Sequence, residues 1–223
     1  DMKWVENVLA RVKRAGYAAL CLTVDTAHYG HRERQMMDRW LPPSRRGVGY
    51  EYRAGLTWEM LDAIKEMAGL PFILKGIATA EDAALAVEHG VSAIYVSNHG
   101  GRQLDHGRAT IDVLPEVVDA VGRKAEIVLD GGVLRGSDVL KAVALGANAV
   151  AIGKLQGWGL AAGGQAGLVR VLEILESEIV TTMGLLGVAR LDQLTSAYLC
   201  KVQPLGPCHE MSAFHYMPGG RLL

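Results

Sequence analysis

Short runs of apolar and β-branched residues recur along the chain at 19–24, 72–74, 93–96, 127–129 and 149–152. Each has the length of a strand buried on both faces, where a continuous apolar run replaces the alternation of a half-exposed strand. Between them lie stretches rich in Ala, Leu, Glu and Lys with helical spacing, which predict helices over 4–15, 57–67, 80–89, 111–121, 137–145 and 165–182. Five of these helices run into a glycine, at Gly16, Gly69, Gly90, Gly122 and Gly146, where a helix C-cap takes a positive φ. The next strand follows within a few residues. Repeated helix, glycine and strand predict an α/β fold with a parallel sheet covered by helices, either an open doubly wound sheet or a (β/α)8 barrel.

The polar residues mark one edge of that sheet. Asp25, Lys75, the Ser97-Asn98-His99 run, Asp130-Gly131-Gly132 and Gly153-Lys154 all fall at the C-terminal end of a predicted strand or just past it. In a barrel they would ring the mouth where active sites are assembled from the loops after several strands. Only five strands are predicted, and Asp1 already lies beside a helical pattern. The expectation is therefore that the chain supplies part of a barrel, with the remaining N-terminal segment carried elsewhere on the same protein or on another chain. Residues 1–200 form the barrel portion on this reading. Residues 201–223 lack a strand or helix period and are read as a tail.

Composition narrows the function classes. Glycine accounts for 27 of 223 residues, about 12% against a usual level of about 7%, without collagen-like period or low complexity. Those glycines are expected at particular turns. With 23 basic against 24 acidic residues and a net charge of -1, the chain lacks the basic excess of a nucleic-acid binder. Cys21, Cys200 and Cys208 are widely spaced and form no CxxC pair, so neither a disulfide framework nor a zinc site is predicted. His209 and His215 near Cys208 fit no common ligand spacing either, and no metal is expected. No apolar run approaches the roughly 18 residues of a membrane span. These features predict a soluble protein of a reducing, intracellular compartment that binds neither membrane nor nucleic acid.

The richest motif is SNHGGRQLD over 97–105. It places an imidazole and a guanidinium three residues apart in a glycine-rich loop after a buried strand. His99 can exchange a proton near neutral pH, and Arg102 offers a planar fork to a carboxylate. Asp25, at the end of the first strand in TVDT, is a candidate partner for the imidazole, and Arg32 in GHRER is a candidate second carboxylate clamp. Taken singly, each also fits a capping or surface role. DGGVLRGSD and GANAVAIGK resemble two successive phosphate-cradling turns, whose backbone amides at Gly131, Gly132 and Gly153 can donate to a dianion at a helix start. Lys75 ends an apolar strand, where its charge needs a partner: an anionic ligand, or a neighbouring aspartate.

Together these residues resemble the family of FMN-dependent α-hydroxy acid oxidases and dehydrogenases, which includes glycolate oxidase, lactate oxidase, mandelate dehydrogenase and flavocytochrome b2. The resemblance runs in order from about Trp4 to Thr195, through TVDT, GHRE, LKGI, SNHGGRQLDHGRATIDVLPEVV and DGGVLRGSDVLKAVALGANAVAIG. It implies a (β/α)8 barrel of which this chain holds about the last five βα units, FMN as cofactor, and a small L-2-hydroxy acid as substrate. His99 then resembles the catalytic base and Asp25 its carboxylate partner. Arg32 and Arg102 resemble the clamps on the substrate carboxylate. Thr23 and Lys75 resemble contacts to the flavin pyrimidine edge, and Asp130, Gly131, Gly132, Arg135, Gly153 and Lys154 the ribityl and phosphate site.

Two positions depart from the family pattern, Leu134 where an arginine is usual and Lys154 where the usual arginine would offer a bidentate fork. Both touch phosphate binding. The segment between Arg39 and Thr57 is too short for the insertion that anchors membrane-bound members. The implied reaction is oxidation to the 2-keto acid with oxygen as acceptor and hydrogen peroxide as product, in a homo-oligomer, peroxisomal if the source is eukaryotic. A quinone- or cytochrome-linked dehydrogenase, a flavin-poor non-catalytic barrel fragment and another FMN-dependent barrel enzyme such as an isomerase stand as alternatives.

Overall fold

The computed structural model describes residues 2–30, 33–40, 54–104 and 106–202. Helix α1 (Met2–Arg14) leads into β1 (Leu20–Thr23), followed by the short α2 (Glu33–Met37). The pattern then repeats as α3 (Trp58–Ala68), β2 (Phe72–Ile77), α4 (Ala80–Glu88), β3 (Ala93–Val96), α5 (Thr110–Val121), β4 (Glu126–Leu129), α6 (Gly136–Ala144) and β5 (Ala149–Val150). Helix α7 (Lys154–Leu186) closes the series and is broken at Gly163 and Gly164, whose backbone leaves the helical region. Threonine side chains cap two of the helices, Thr57 accepting from the Met60 N–H and Thr79 from the Asp82 N–H. All five glycines expected after helices have positive φ.

The five strands are parallel and lie in the order β1-β2-β3-β4-β5. A doubly wound sheet reverses direction at a switch point; this sheet does not, so its helices are wound in one sense, as in a barrel. The strand residues facing the helices are Phe72 and Leu74, Ile94 and Val96, Ile127 and Leu129, all no more than 2% exposed. They form one core with Leu61 and Ile64 of α3, Ala83 and Ala86 of α4, and Val113, Leu114, Val117 and Val121 of α5. A side chain buried this completely contributes about 1.5–3 kcal/mol, and this layer is the main source of stability. Thr23, Ile73, Lys75, Tyr95, Val128 and Asp130 are set off by the alternation of the strands, and all keep partial exposure.

The structure thus carries the α/β fold with a parallel sheet. Residues 203–223, including Cys208, His209 and His215, lie outside the described residues, as do residues 41–53 of the segment between Arg39 and Thr57. No helix among the described residues is long and apolar enough to cross a membrane.

Candidate active site

The parallel register sets one row of side chains across the sheet. Thr23 is level with Lys75, Lys75 with Tyr95, and Tyr95 with Val128. Lys75 is 18% exposed, and such a cation must find partners. Its Nζ donates to Ser97 Oγ at 2.7 Å, pairs with Asp130 Oδ2 at 3.2 Å and lies 4.9 Å from the centre of the Tyr95 ring. The aspartate was one of the two partners the sequence offered for this lysine. Burial, and then the charge of Asp130, push the Tyr95 phenol well above its ordinary pKa, so it stays neutral. Asp130 Oδ1 is buried without a hydrogen-bond partner among the described residues.

His99 stands just past β3 with φ 56°, a backbone region that few residues other than glycine adopt. Its N–H donates to Ser97 Oγ at 3.1 Å, and its Nδ1 lies 3.1 Å from Asp25 Oδ1. Nδ1–H donating to the carboxylate leaves Nε2 of the neutral ring with its lone pair, and the same carboxylate stabilises the ring when Nε2 takes up a proton. The His99 and Asp25 side chains are 28% and 13% exposed, so their attraction is only partly screened by solvent.

A local device seats Asp25. The β2–β3 register slips between Lys75 and Ile77, and Gly76 in the slip has φ 105°. A Cβ there would fall 2.7 Å from Asp25 Cβ and 2.8 Å from the Asp25 backbone nitrogen. Only glycine allows both the conformation and the approach.

The glycine turns sit on the next two strand ends. Gly131 and Gly132 have φ 96° and 75°, and the buried Thr110 donates from Oγ1 to the Asp130 carbonyl at 2.6 Å, which fixes the turn. Open space surrounds the positions where side chains at Gly132 and Gly153 would project. Lys154 reaches back from the last turn, its Nζ donating to the Gly100 carbonyl at 2.8 Å, and so ties the glycine turns to the His99 loop. Arg135, at the N-cap of α6, is engaged with α7: its Nε donates to Glu178 Oε1 at 2.7 Å, while Glu178 Oε2 accepts the Gly136 N–H at 2.6 Å. The guanidinium holds the Glu178 carboxyl below its ordinary pKa.

The structure therefore brings Thr23, Asp25, Lys75, His99 and Asp130 to one end of the sheet, with Gly131, Gly132, Gly153 and Lys154 beside them. Arg102 is exposed on the His99 loop, and Arg32 lies outside the described residues. Four further residues take part that sequence reasoning did not assign: Ser97, which links Lys75 to the His99 backbone, together with Tyr95, Gln103 and Thr110. Ser97 and Gln103 stood inside the SNHGGRQLD motif, and Tyr95 was the one polar-tipped residue of its strand. Thr110 is the first residue of α5, one position before the predicted helix, and nothing in the sequence marks it.

Against this geometry, a family model described as FMN-dependent dehydrogenase matches residues 1–48 and 39–201. L-lactate oxidase of Nostoc sp. is 43% identical over 223 residues, covering 89% of this chain and 61% of that protein. Glycolate oxidase of Spinacia oleracea is 40% identical, with 89% and 60% covered, and 2-hydroxyacid oxidase 1 of Homo sapiens is 41% identical, with 84% and 58% covered. Among solved structures, a mandelate oxidase variant with the C4a-OH-FMN adduct superposes with a TM-score of 0.78 at 41% identity, covering 86% of this chain and 58% of that one. The chain spans about 60% of the length of the curated relatives it matches.

Proposed function

The chain belongs to the family of FMN-dependent dehydrogenases, and from that premise we propose that the full-length protein oxidises an (S)-2-hydroxy acid to its 2-keto acid, with oxygen as acceptor and hydrogen peroxide as product. The observation that carries the reading is the His99–Asp25 pair at 3.1 Å, set among the strand ends that also hold Lys75 and Asp130. The names of the relatives, lactate, glycolate and 2-hydroxyacid oxidases, support the substrate class.

The residues fit FMN on two counts. Asp130 Oδ1 is a buried acceptor without a donor among the described residues, and a ribityl hydroxyl would satisfy it. Gly132 and Gly153 leave room for a phosphate against their backbone. On this reading Thr23 and Lys75 hold the pyrimidine edge, Asp130 the ribityl chain, and Gly131, Gly132, Gly153, Lys154 and Arg135 the phosphate. Bound FMN would supply the two-electron acceptor that none of these side chains provides.

Arg102, with Arg32, holds the substrate carboxylate, and orientation of this kind removes much of the entropic barrier. His99 Nε2 takes a proton from the substrate, at the α-carbon in a carbanion route or at the hydroxyl in a hydride route. Asp25 keeps Nδ1–H in place and stabilises the imidazolium. Residues 1–200 serve as the C-terminal portion of the barrel and 201–223 as its tail. Assembly as a homo-oligomer and residence in a reducing intracellular compartment, in keeping with the free thiols of Cys21 and Cys200, belong to the same reading.

Steady-state assays of the full-length protein with glycolate, lactate and mandelate test it. Oxygen uptake matched by peroxide is expected with at least one of them. Turnover with a quinone or cytochrome but without oxygen uptake would move the enzyme to the dehydrogenases. Bound flavin with no turnover on any 2-hydroxy acid would overturn the reading.

A further inference from the structure

Gln103 bridges the two loops that carry the His99–Asp25 pair. Its Nε2 lies 2.8 Å from the His28 carbonyl and 3.1 Å from the Asp25 carbonyl, and its Oε1 accepts from the Gly30 N–H at 3.4 Å. One primary amide thus engages three backbone groups of the 25–30 loop, from a position more than seventy residues along the chain. The loops also touch directly. A Cβ at Gly30 would fall 2.5 Å from the Arg102 carbonyl and would overlap that of Gln103.

Asp25 is consequently held at both ends by a single loop: His99 holds its carboxylate, and Gln103 its main chain. Resting on the function proposed above, we propose that Gln103 is a positioning residue that sets Asp25 behind His99 for proton transfer. The amide suits this role because it carries donor and acceptor together. A carboxylate in its place would turn an oxygen toward the two carbonyl oxygens, and an apolar side chain would leave all three backbone groups without this partner.

The test uses the full-length, FMN-loaded protein with Gln103→Met, Gln103→Glu, Asp25→Asn and the Gln103→Met/Asp25→Asn double variant. Both Gln103 variants are expected to reduce more slowly than wild type in anaerobic single turnover, Gln103→Met by about 10- to 100-fold, the scale of a misplacement near 1 Å. Binding of a 2-keto acid product should change less than about threefold, because the three backbone groups that Gln103 engages belong to Asp25, His28 and Gly30. Since Gln103 acts through Asp25, Gln103→Met should add nothing in the Asp25→Asn background. A reduction rate equal to wild type in Gln103→Met, or losses that multiply in the double variant, would overturn the proposal. NMR gives a readout independent of turnover: the downfield Nδ1 proton of His99, expected in the wild type, should weaken or vanish in Gln103→Met. If no 2-hydroxy acid reduces the wild type, the functional reading fails while this signal still decides the role of Gln103. An unchanged signal in Gln103→Met refutes that role.

Discussion

His99 illustrates how much support one catalytic candidate draws from its surroundings. A side chain with φ 56° stays there because Ser97 binds its N–H and Asp25 its ring. Asp25→Asn keeps the size of the side chain and removes its charge. The proton-transfer step should slow by about 10²- to 10⁴-fold, the usual contribution of a positioned acid–base group, with thermal stability nearly unchanged. Stopped-flow reduction alongside a melting curve checks both parts. At this scale His99, Asp25 and Lys75 were legible because a polar residue ending an apolar run is conspicuous. The role of Ser97, and Tyr95 and Gln103 altogether, were not, because what defines them is a partner from another strand or loop: Lys75 is 22 residues from Ser97, and Asp25 is 78 from Gln103. Spacing along the chain carries no trace of such contacts.

Elements set where these residues stand, and two changes probe that. Gly76→Ala would force a Cβ to within 2.7 Å of Asp25 at a position with φ 105°. Strain of this kind costs about 1–3 kcal/mol, so denaturant melts should show that loss together with a slower proton transfer. The α6–α7 contact rests on Glu178, which binds both Arg135 and the Gly136 N–H. Its carboxyl is held below the ordinary pKa by Arg135. The pair therefore stabilises fully above the unfolded carboxylate pKa of about 4.3 and loses that contribution as pH falls through the lower folded value. Because Arg135 is 35% exposed, the ion pair is worth no more than about 1 kcal/mol. Glu178→Gln should then be less stable than wild type at neutral pH, and the gap in urea melts should close as the pH is lowered below about 4.

The helices with charged outer faces and terminal glycines were readable at this scale, and all five strands fell where the apolar runs placed them. The start of α7 was not. KLQGWGLAAGG is glycine-rich and falls outside the helix predicted over 165–182, yet it is helical up to the break at Gly163 and Gly164, across which Gly159 lies backbone to backbone against Gly167. A close approach of two backbones suppresses the side-chain periodicity by which a helix is recognised.

At the scale of the molecule, the sequential strand order decides between the two sheets that alternation alone allowed. A count of strands could not, because order depends on which strands pair. Among the described residues β1 pairs only with β2 and β5 only with β4, so each presents a free edge, and Cys21 is exposed. Edges of this kind associate. The 223-residue chain expressed alone is expected to form oligomers or aggregates in light scattering; a stable monomer would contradict this. The central claim, that the His99 end of the sheet removes a proton from a flavin-oxidised 2-hydroxy acid, is tested most directly by anaerobic spectroscopy of the full-length protein and its His99→Ala variant. The wild type should be yellow and bleach on addition of glycolate, lactate or mandelate, while the variant should bind flavin equally and bleach about 10²- to 10⁴-fold more slowly. A variant that bleaches at the wild-type rate would contradict the assignment of the base, and a flavin-loaded wild type that no 2-hydroxy acid bleaches would contradict the reaction itself.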